Sequence, residues 1–365
     1  MPTNRHESSL MNLFFELLKV ALGTQDRLSR VPTGKEWMAL YDEAERQAVV
    51  GVLLGGLERL PEEQLPPLEV KLQWIGMVQM MEAEYRQHVE RSRELAEKVR
   101  AVGFENCVLK GVAMARYYPE PSRRQCGDID LWTFGRRKDV MKWLRSQYEI
   151  GHNVWHNVGV EVFEDVPVEI HFHPGWLWNP FHNKRLQSFF DHESHTLELC
   201  SLATSGTQEL HESSMGFKVP RLEFDAVFSL VHTYRHLIAG GVGLRHVVDY
   251  FYVLRQLQTA SDILHQTSSI LHQLGMLKFA GAVMWILKEV CGMSDEELLC
   301  EPNEKEGRFL LREIERGGNF GQFSEENNER GLVKQLVTML PHYPNEILWV
   351  LPWKGWHKLW RMVNG

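Results

Sequence analysis

Residues 108–134 read VLKGVAMARYYPEPSRRQCGDIDLWTF, and the end of this stretch decides the fold. Two aspartates, Asp128 and Asp130, alternate there with the apolar residues Ile129 and Leu131. Such alternation predicts a half-buried strand, on which residues two apart point to the same face. The two carboxylates are therefore expected to project side by side and to repel, so that at least one pKa is raised unless a cation lies between them. Oxygen ligands of this kind suit Mg²⁺ or Mn²⁺.

A second alternating run, residues 166–173, carries Glu169, His171 and His173 on one face. If this strand pairs beside the first, Glu169 joins the two aspartates. Three clustered carboxylates are the arrangement used in two-metal phosphoryl or nucleotidyl transfer. We therefore predict that Asp128, Asp130 and Glu169 are catalytic and bind the metal. The alternative is that they are surface acids on an edge strand.

Residues upstream of the aspartates favour the metal site over the surface interpretation. Gly111 lies at a predicted strand-to-helix turn, where free backbone N–H groups attract phosphate. Lys110 and Arg124 carry the charge that neutralises a transferring phosphoryl group. We predict that all three contact phosphate, and solvated surface charge is the alternative for the two cations.

These motifs resemble the uncharacterised nucleotidyltransferase-like family of the DNA polymerase β-type superfamily. The resemblance covers residues 107–173 well and rests on L-K-G, Y-P-x-P-x-x-R, G-D-I-D-L and V-E-I-H elements. The matching residues are Leu109, Lys110, Gly111, Tyr118, Pro119, Pro121, Arg124, Gly127, Asp128, Asp130, Glu169 and His171. It extends more loosely to H-x-x-x-H and G-L-R-x-x-x-D elements, which contain His232, His236, Gly243, Leu244, Arg245 and Asp249.

The resemblance implies a Mg²⁺- or Mn²⁺-dependent enzyme that moves a nucleoside monophosphate from an NTP to an acceptor hydroxyl. By the same resemblance, Glu169 would help to activate the acceptor, which could be a small molecule, RNA or protein. The identities of the base and of the acceptor stay open. Further residues expected to contact substrate or to line the cleft opposite the acids are His171, His232, His236, Arg245 and Asp249.

One departure from the superfamily pattern keeps other functions open. Val112 follows Gly111 where the superfamily usually has a serine that touches the triphosphate. This favours a catalytically weak nucleotide-binding or protein-interaction module with the same fold. His232 and His236 share a helix face, which leaves a metal-dependent phosphohydrolase as a third possibility. No H-E-x-x-H motif accompanies them, which excludes that class of metalloprotease.

Composition indicates a globular protein with no broad nucleic-acid binding. The 365 residues are 44% hydrophobic, and the net charge of −8 repels a polyanion. Five scattered cysteines form no C-x-x-C pair, which is typical of reduced thiols in a cytosolic protein. No uninterrupted apolar run is long enough to span a bilayer, so we predict a cytoplasmic protein without membrane contact.

Changes in hydrophobic period predict three regions in an α+β fold. Residues 1–103 and 223–365 have helical periodicity, and residues 104–222 have the short alternating runs of a small mixed sheet. The longest helical pattern, residues 68–102, predicts a helix lying along the sheet domain, with a coiled coil as the alternative. The tryptophan-rich basic stretch 349–360 is expected to pack onto the body of the protein, with a membrane-surface helix as the alternative.

Overall fold

The computed structural model describes residues 3–201, 214–258, 261–319 and 331–364. The N-terminal region consists of α1 (Thr3–Leu22), α2 (Gly34–Arg46), α3 (Val50–Leu57) and α4 (Leu68–Ala101). The central region contains β1 (Asn106–Val108), α5 (Val112–Ala115), β2 (Ile129–Thr133), α6 (Arg137–Gln147), β3 (Ile150–Asn153), β4 (Asn157–Val160), β5 (Val168–His171), α7 (Pro180–Glu193), β6 (Glu198–Ser201) and β7 (Ser214–Val219). The C-terminal region comprises α8 (Leu222–Ala239), α9 (Leu244–Leu257), α10 (Ser261–Gln273), α11 (Leu277–Glu289), α12 (Glu304–Gly317), α13 (Gly331–Met339) and α14 (Pro344–Asn364).

The central sheet is mixed, with strand order β1-β2-β5-β4-β3. Strands β2 and β5 pair in parallel, whereas the β1–β2, β5–β4 and β4–β3 pairs are antiparallel. A separate two-stranded sheet is formed by β6 and β7. The predicted α+β fold, a small mixed sheet flanked by helical regions, is confirmed.

Helix α4 contacts both hydrophobic cores of the molecule. Its first half places Trp74 and Val78 in the larger core, which also contains α1, α2 and α3. Its second half places Leu95 and Val99 in the core beneath the central sheet. Burying side chains of this size contributes about 1.5–3 kcal/mol each. The helix therefore lies along the sheet, as predicted, and its apolar stripe is not a coiled-coil seam.

Three elements of the central region had no counterpart in the sequence prediction. Strand β3 consists of the residues IGHN, which are half-buried or exposed, so no apolar alternation marks it. Helix α7 has few buried apolar positions, and β6 lies in a stretch without clear alternation. The residues GGN at 317–319 and EENNER at 325–330 predict a polar loop. Helix α12 ends at Gly317, and residues 325–330 lie outside the described residues.

The C-terminal helix α14 packs against the β3 edge of the central sheet. Asn153 Nδ2 donates to the Asn364 carbonyl oxygen at 3.0 Å, and the Trp155 backbone N–H donates to His357 Nε2 at 3.3 Å. The Arg137 guanidinium lies 4.8 Å from the centre of the Trp360 ring. These contacts attach one face of α14 to the sheet, whereas Leu351, Trp356 and Leu359 are exposed, so packing of the whole stretch 349–360 onto the body stays a prediction. Among the described helices, none combines the length and apolar character that crossing a membrane requires.

Candidate active site

Asp130 and Glu169 are neighbours across the parallel pair of strands. The register of β2 and β5 sets the two residues opposite each other, so their carboxylates lie on the same face of the sheet. Asp130 is only 1% exposed, and its Oδ1 lies 2.8 Å from both Lys110 Nζ and His171 Nε2. Its other oxygen, Oδ2, is buried without a hydrogen-bond partner among the described residues. A buried carboxylate oxygen without a partner is costly unless a ligand completes it.

Glu169 is held by side chains from neighbouring strands. Its Oε2 accepts a hydrogen bond from Asn157 Nδ2 of β4 and lies 3.3 Å from His171 Nε2. Its Oε1 lies 3.2 Å from His152 Nε2 of β3. These contacts hold the Glu169 carboxylate beside Asp130, on the same face of the sheet.

His171 serves as a positive countercharge between the two acids. Its Nε2 faces the carboxylates, and its Nδ1 lies 3.3 Å from the His173 carbonyl oxygen. Both ring nitrogens therefore face acceptors, as they do in a protonated imidazole. Burial lowers the pKa of His171, but hydrogen bonds to Asp130 and Glu169 outweigh burial and raise it.

The pKa values of the three acids differ because their neighbours differ. Burial raises the pKa of Asp130, but Lys110 and His171 outweigh burial and hold it well below its usual range. Burial also raises the pKa of Glu169, and the hydrogen bond with His171 reverses that shift, so the net change is downward. The pKa of Asp128 is raised, first by the charge of Asp130 and then by burial. The repulsion expected from the sequence is therefore concentrated on Asp128.

A group of potential metal-ligand atoms at the acids contains a histidine in the position where Asp128 was expected. Atoms of Asp130, Glu169 and His171 all lie within 4.8 Å of one another, and this group does not include Asp128. Asp128 lies just before β2 and lines the same cavity as Asp130 and Lys110. The structure thus brings two of the three predicted acids together and places the third beside them. A metal-binding role for Asp128 stays a prediction.

Gly111 adopts a backbone conformation that favours glycine. It directly precedes α5, with φ +55° and ψ −118°, and a Cβ built on it would lie 3.4 Å from the Asp128 carbonyl oxygen. The next residue, Val112, is buried in the core beneath the sheet. The residue that replaces the superfamily serine therefore contributes to packing.

Arg124 and Asp249 form a buried ion pair between the central region and α9. Arg124 Nε lies 2.7 Å from Asp249 Oδ1, and Arg124 Nη2 lies 2.8 Å from Asp249 Oδ2. Tyr118 donates its hydroxyl to Asp249 Oδ1 at 2.7 Å, and Arg124 Nη1 donates to the Gly111 carbonyl oxygen at 3.1 Å. Arg245 Nη1 donates to the Gln125 carbonyl oxygen at 3.2 Å. These bonds position the Gly111 turn, and phosphate contact by Arg124 stays a prediction.

His232 and His236 lie one turn apart on α8 and meet His246 of α9. The three rings have centroid separations of 4.4, 5.7 and 5.4 Å. His232, His246, Arg245 and Asp249 line the same cavity as Asp128 and Asp130, and their role as the substrate cleft stays a prediction. Burial, followed by nearby positive charge, lowers the pKa of all three histidines, which keeps them neutral.

Among the residues at this site that had not been predicted, His246 and Arg235 are two for which the sequence offered a signal. His246 precedes Asp249 by three positions on α9, and Arg235 follows His232 by three positions on α8, so each shares a helix face with a predicted residue. The Arg235 guanidinium lies 3.2 Å from the centre of the Trp176 ring, and its Nε is buried without a hydrogen-bond partner among the described residues. Burial lowers the pKa of Arg235 to about 9, against the opposing charges of Glu169 and Asp130, so it stays protonated at neutral pH.

An aromatic cavity adjoins the acids on the side of β3 and α14. It is lined in part by His152, which also contacts Glu169, and by Trp155, Trp176 and Trp353. The Trp176 and Trp353 rings are stacked, with centroids 6.0 Å apart. This cavity therefore offers flat apolar surfaces next to the carboxylates.

Of the comparisons with known proteins, the match to a family model is the one that bears on the family suggested by the motifs. The crystal structure of an antigenic nucleotidyltransferase-like protein from Paracoccidioides brasiliensis is similar to this chain at 14% sequence identity, with a TM-score of 0.28. The similarity covers 52% of this chain and 92% of that one. No curated protein matches at a significant level. A family model described as an uncharacterised nucleotidyltransferase matches residues 33–292. Because that match spans well over half of the sequence, the chain belongs to the uncharacterised nucleotidyltransferase family.

Proposed function

We propose that the chain is a metal-dependent nucleotidyltransferase that moves a nucleoside monophosphate from an NTP to an acceptor hydroxyl. The observation that supports this best is the pairing of Asp130 with Glu169 on the parallel strands β2 and β5. Two fixed carboxylates on one face of a sheet, close to a lysine, are suited to phosphoryl-type transfer. Membership of the nucleotidyltransferase family points to the same reaction class.

The donor set fits a hard divalent cation. Asp130 is ionised, and its Oδ2 is a buried acceptor without a partner in the described part of the chain. Asp128, Asp130 and Glu169 would hold Mg²⁺ or Mn²⁺, with Mn²⁺ tolerating a nearby imidazole such as that of His171 better. When bound, the cation would neutralise charge on the triphosphate and help to orient its α-phosphate. Asp128, whose pKa is raised, gains most from such a charge.

Two cations of the chain would bind the triphosphate. Lys110 Nζ contacts Asp130 Oδ1 and would turn towards phosphate oxygens once that carboxylate has another partner. Arg235 is a second cation, whose Nε has no hydrogen-bond partner in the described part of the chain and whose pKa the charges of Glu169 and Asp130 raise against burial. A guanidinium in such a position is suited to bidentate phosphate contacts.

Glu169 would accept the proton of the acceptor hydroxyl. The net downward shift in its pKa keeps it ionised at neutral pH, and the bonds from Asn157 and His171 fix its direction. Because His152 joins Glu169 to the aromatic cavity, we assign that cavity to the acceptor or the nucleobase. A base stacked on an aromatic ring gains about 1–3 kcal/mol.

A turnover assay tests this proposal. The full chain is incubated with each NTP, with and without Mg²⁺ or Mn²⁺, and with candidate acceptors, while pyrophosphate release is measured. Mass spectrometry then identifies any modified small molecule, RNA or protein. Asp130→Asn should reduce the rate roughly 10²-fold or more. Asp165→Asn is the matched control, because Asp165 pairs with Arg91 at the surface.

The alternative is a catalytically weak nucleotide-binding module, and one observation favours it. Lys110 and His171 satisfy Asp130 Oδ1 without any metal, so the acids already have countercharges. Isothermal titration separates the two functions. Metal-dependent NTP binding without pyrophosphate release, with every acceptor tested, would support the module.

A further inference from the structure

We propose that His232, His236 and His246 form a second metal site, which binds a zinc-class transition metal and to which the described part of the chain supplies no fourth ligand. One ligand-capable nitrogen from each ring lies within 4.8 Å of those of the other two. Three histidines with an open fourth position are a known arrangement for zinc in enzymes. This site shares no ligand with the carboxylate site, although His232 and His246 line the same cavity as Asp128 and Asp130, and it does not depend on nucleotidyl transfer.

The fold brings the three rings together from two helices. His232 and His236 are four residues apart, so they lie on one face of α8. Helix α9 follows after the break at residues 240–243 and presents His246 to that face. The ring planes are inclined to one another by 72°, 38° and 37°, so the three rings are not stacked face to face. Inclined rings around one point suit nitrogen lone pairs that converge on an ion.

A backbone contact orients one of the three ligands. His246 Nδ1 lies 3.3 Å from the Gly243 carbonyl oxygen, to which it can donate only when it carries the proton. In that tautomer the lone pair is on Nε2. Metal-binding histidines commonly make this kind of bond through their other nitrogen, which fixes the ring and its tautomer.

The cavity wall can accommodate the charge of a divalent ion. Among the residues that the structure describes, its titratable lining residues other than histidine are three cations and three carboxylates, namely Lys110, Arg124, Arg245, Asp128, Asp130 and Asp249. These charges balance, and three neutral imidazoles would add none. A divalent ion would therefore make the cavity positive and favour an anion, such as hydroxide or a phosphate oxygen, at the open position. Imidazole donors favour Zn²⁺, Co²⁺ or Ni²⁺ over Mg²⁺.

Cobalt substitution tests the site in the full chain. The protein is treated with a chelator, dialysed and titrated with Co²⁺ while the visible absorption is recorded. We expect one equivalent of Co²⁺ to produce ligand-field bands, which Zn²⁺ abolishes and millimolar Mg²⁺ leaves unchanged. His236→Ala should weaken Co²⁺ binding at least roughly tenfold. His265→Ala, which removes an exposed histidine on α10, should bind like the wild type.

Further variants keep the result decisive. If His236→Ala does not retain the wild-type circular dichroism spectrum, His246→Asn replaces it. Asp130→Asn should keep the cobalt bands even where it abolishes pyrophosphate release, so failure of this site and failure of the proposed function are distinguishable. The proposal is overturned if the folded histidine variants bind Co²⁺ like the wild type. Loss of the bands in Asp130→Asn, or a near-ultraviolet thiolate band from Cys126, would overturn it as well.

Discussion

Lys110 Nζ lies 2.8 Å from Asp130 Oδ1. The ammonium group therefore lies next to a carboxylate that must be accessible if it is to bind a metal. Burial lowers the pKa of Lys110, but the charges of Asp130 and Asp128 outweigh burial and raise it. The lysine is thus an internal countercharge that keeps the acids compatible with a buried site. Any metal that binds there has to compete with it.

Mg²⁺ or Mn²⁺ should stabilise the folded protein. A cation that binds the acid cluster of the folded state and not the unfolded chain raises the melting temperature with concentration. At a hundred times the dissociation constant, the expected gain is about 2.7 kcal/mol. Thermal unfolding with increasing Mn²⁺ measures the shift. Asp130→Asn should abolish it, whereas Asp165→Asn should retain it, and an unchanged wild-type melting temperature would contradict the carboxylate site.

The two aspartates should respond in opposite directions to removal of their charge. Asp128→Asn relieves the repulsion that raises the Asp128 pKa, so the metal-free protein should be as stable as the wild type or more stable. Asp130→Asn leaves the charges of Lys110 and His171 without their carboxylate, so it should destabilise by roughly 1–3 kcal/mol. Urea unfolding at neutral pH compares the two variants. Equal effects would mean that Lys110 does not distinguish the two acids.

Arg235 should contribute to nucleotide affinity. Arg235→Gln removes a cation that lies over Trp176 and faces the acids, so NTP binding should weaken roughly 10- to 100-fold. Arg235→Lys should restore part of the affinity, because it retains the charge but not the bidentate geometry. Isothermal titration provides the measurement. Arg308→Gln is a matched control, since Arg308 also lies over a tryptophan ring, that of Trp285, at a position in the sequence distant from Arg235.

Gly111 should be sensitive to any side chain. Gly111→Ala places a Cβ on a residue with φ +55°, which should cost about 1–2 kcal/mol of stability. Gly111→Val is therefore not a clean probe of phosphate binding, because it strains the turn itself. Gly76→Ala is the control. A Cβ at Gly76 in α4 meets nothing within 4 Å, so this helical substitution should stabilise by up to about 1 kcal/mol.

The cap of α2 predicts an acid-dependent loss of stability. Glu36 bonds with Arg30 and with the Thr33 backbone N–H, and these bonds lower the Glu36 pKa to about 2. In the unfolded chain this carboxyl has a pKa of about 4.3. Its stabilisation is therefore fully present above about pH 4.3 and is lost as the pH falls towards 2.

Glu36→Gln measures the size of that contribution. Because Arg30 is partly exposed, we expect about 1–2 kcal/mol at pH 7, decreasing to near zero at pH 2. Denaturant unfolding of the wild type and Glu36→Gln between these pH values gives the curve. Glu63→Gln, which removes an exposed partner of Arg27, should have little effect at any pH. A Glu36 contribution that does not depend on pH would contradict the assignment.

The faces on which Asp130 and Glu169 lie could be predicted because strand periodicity is local, whereas the pairing of their two strands entered only as a condition. Apolar alternation identifies each strand, and the side chains of one face then follow from the period of two. The strand β3 could not be found in this way, because its edge position needs no apolar face. His152, which contacts Glu169, was missed for the same reason.

Partners that depend on the packing of distant elements could not be predicted. The sequence places Lys110, Arg124 and Asp249 near the site, but it does not indicate that Arg124 and Asp249 bind each other. Nor does it indicate that His246 of α9 would meet the two histidines of α8. These contacts depend on how α8 and α9 cross beside the sheet, and no short-range pattern encodes that crossing.

Helix α4 should make the unfolding of the two cores cooperative, because this one continuous helix contributes side chains to both of them. Unfolding of the second half of α4 would expose the sheet. The remaining half of the helix would then have a new end, which would expose residues next to Trp74. The predicted boundary after residue 103 separates a helical region from a region that contains strands. We nevertheless expect the residues on both sides of this boundary to unfold together on heating. A fragment that begins at residue 104 would lack the helix that covers Ile129 and Leu131, and we expect it to aggregate instead of folding alone.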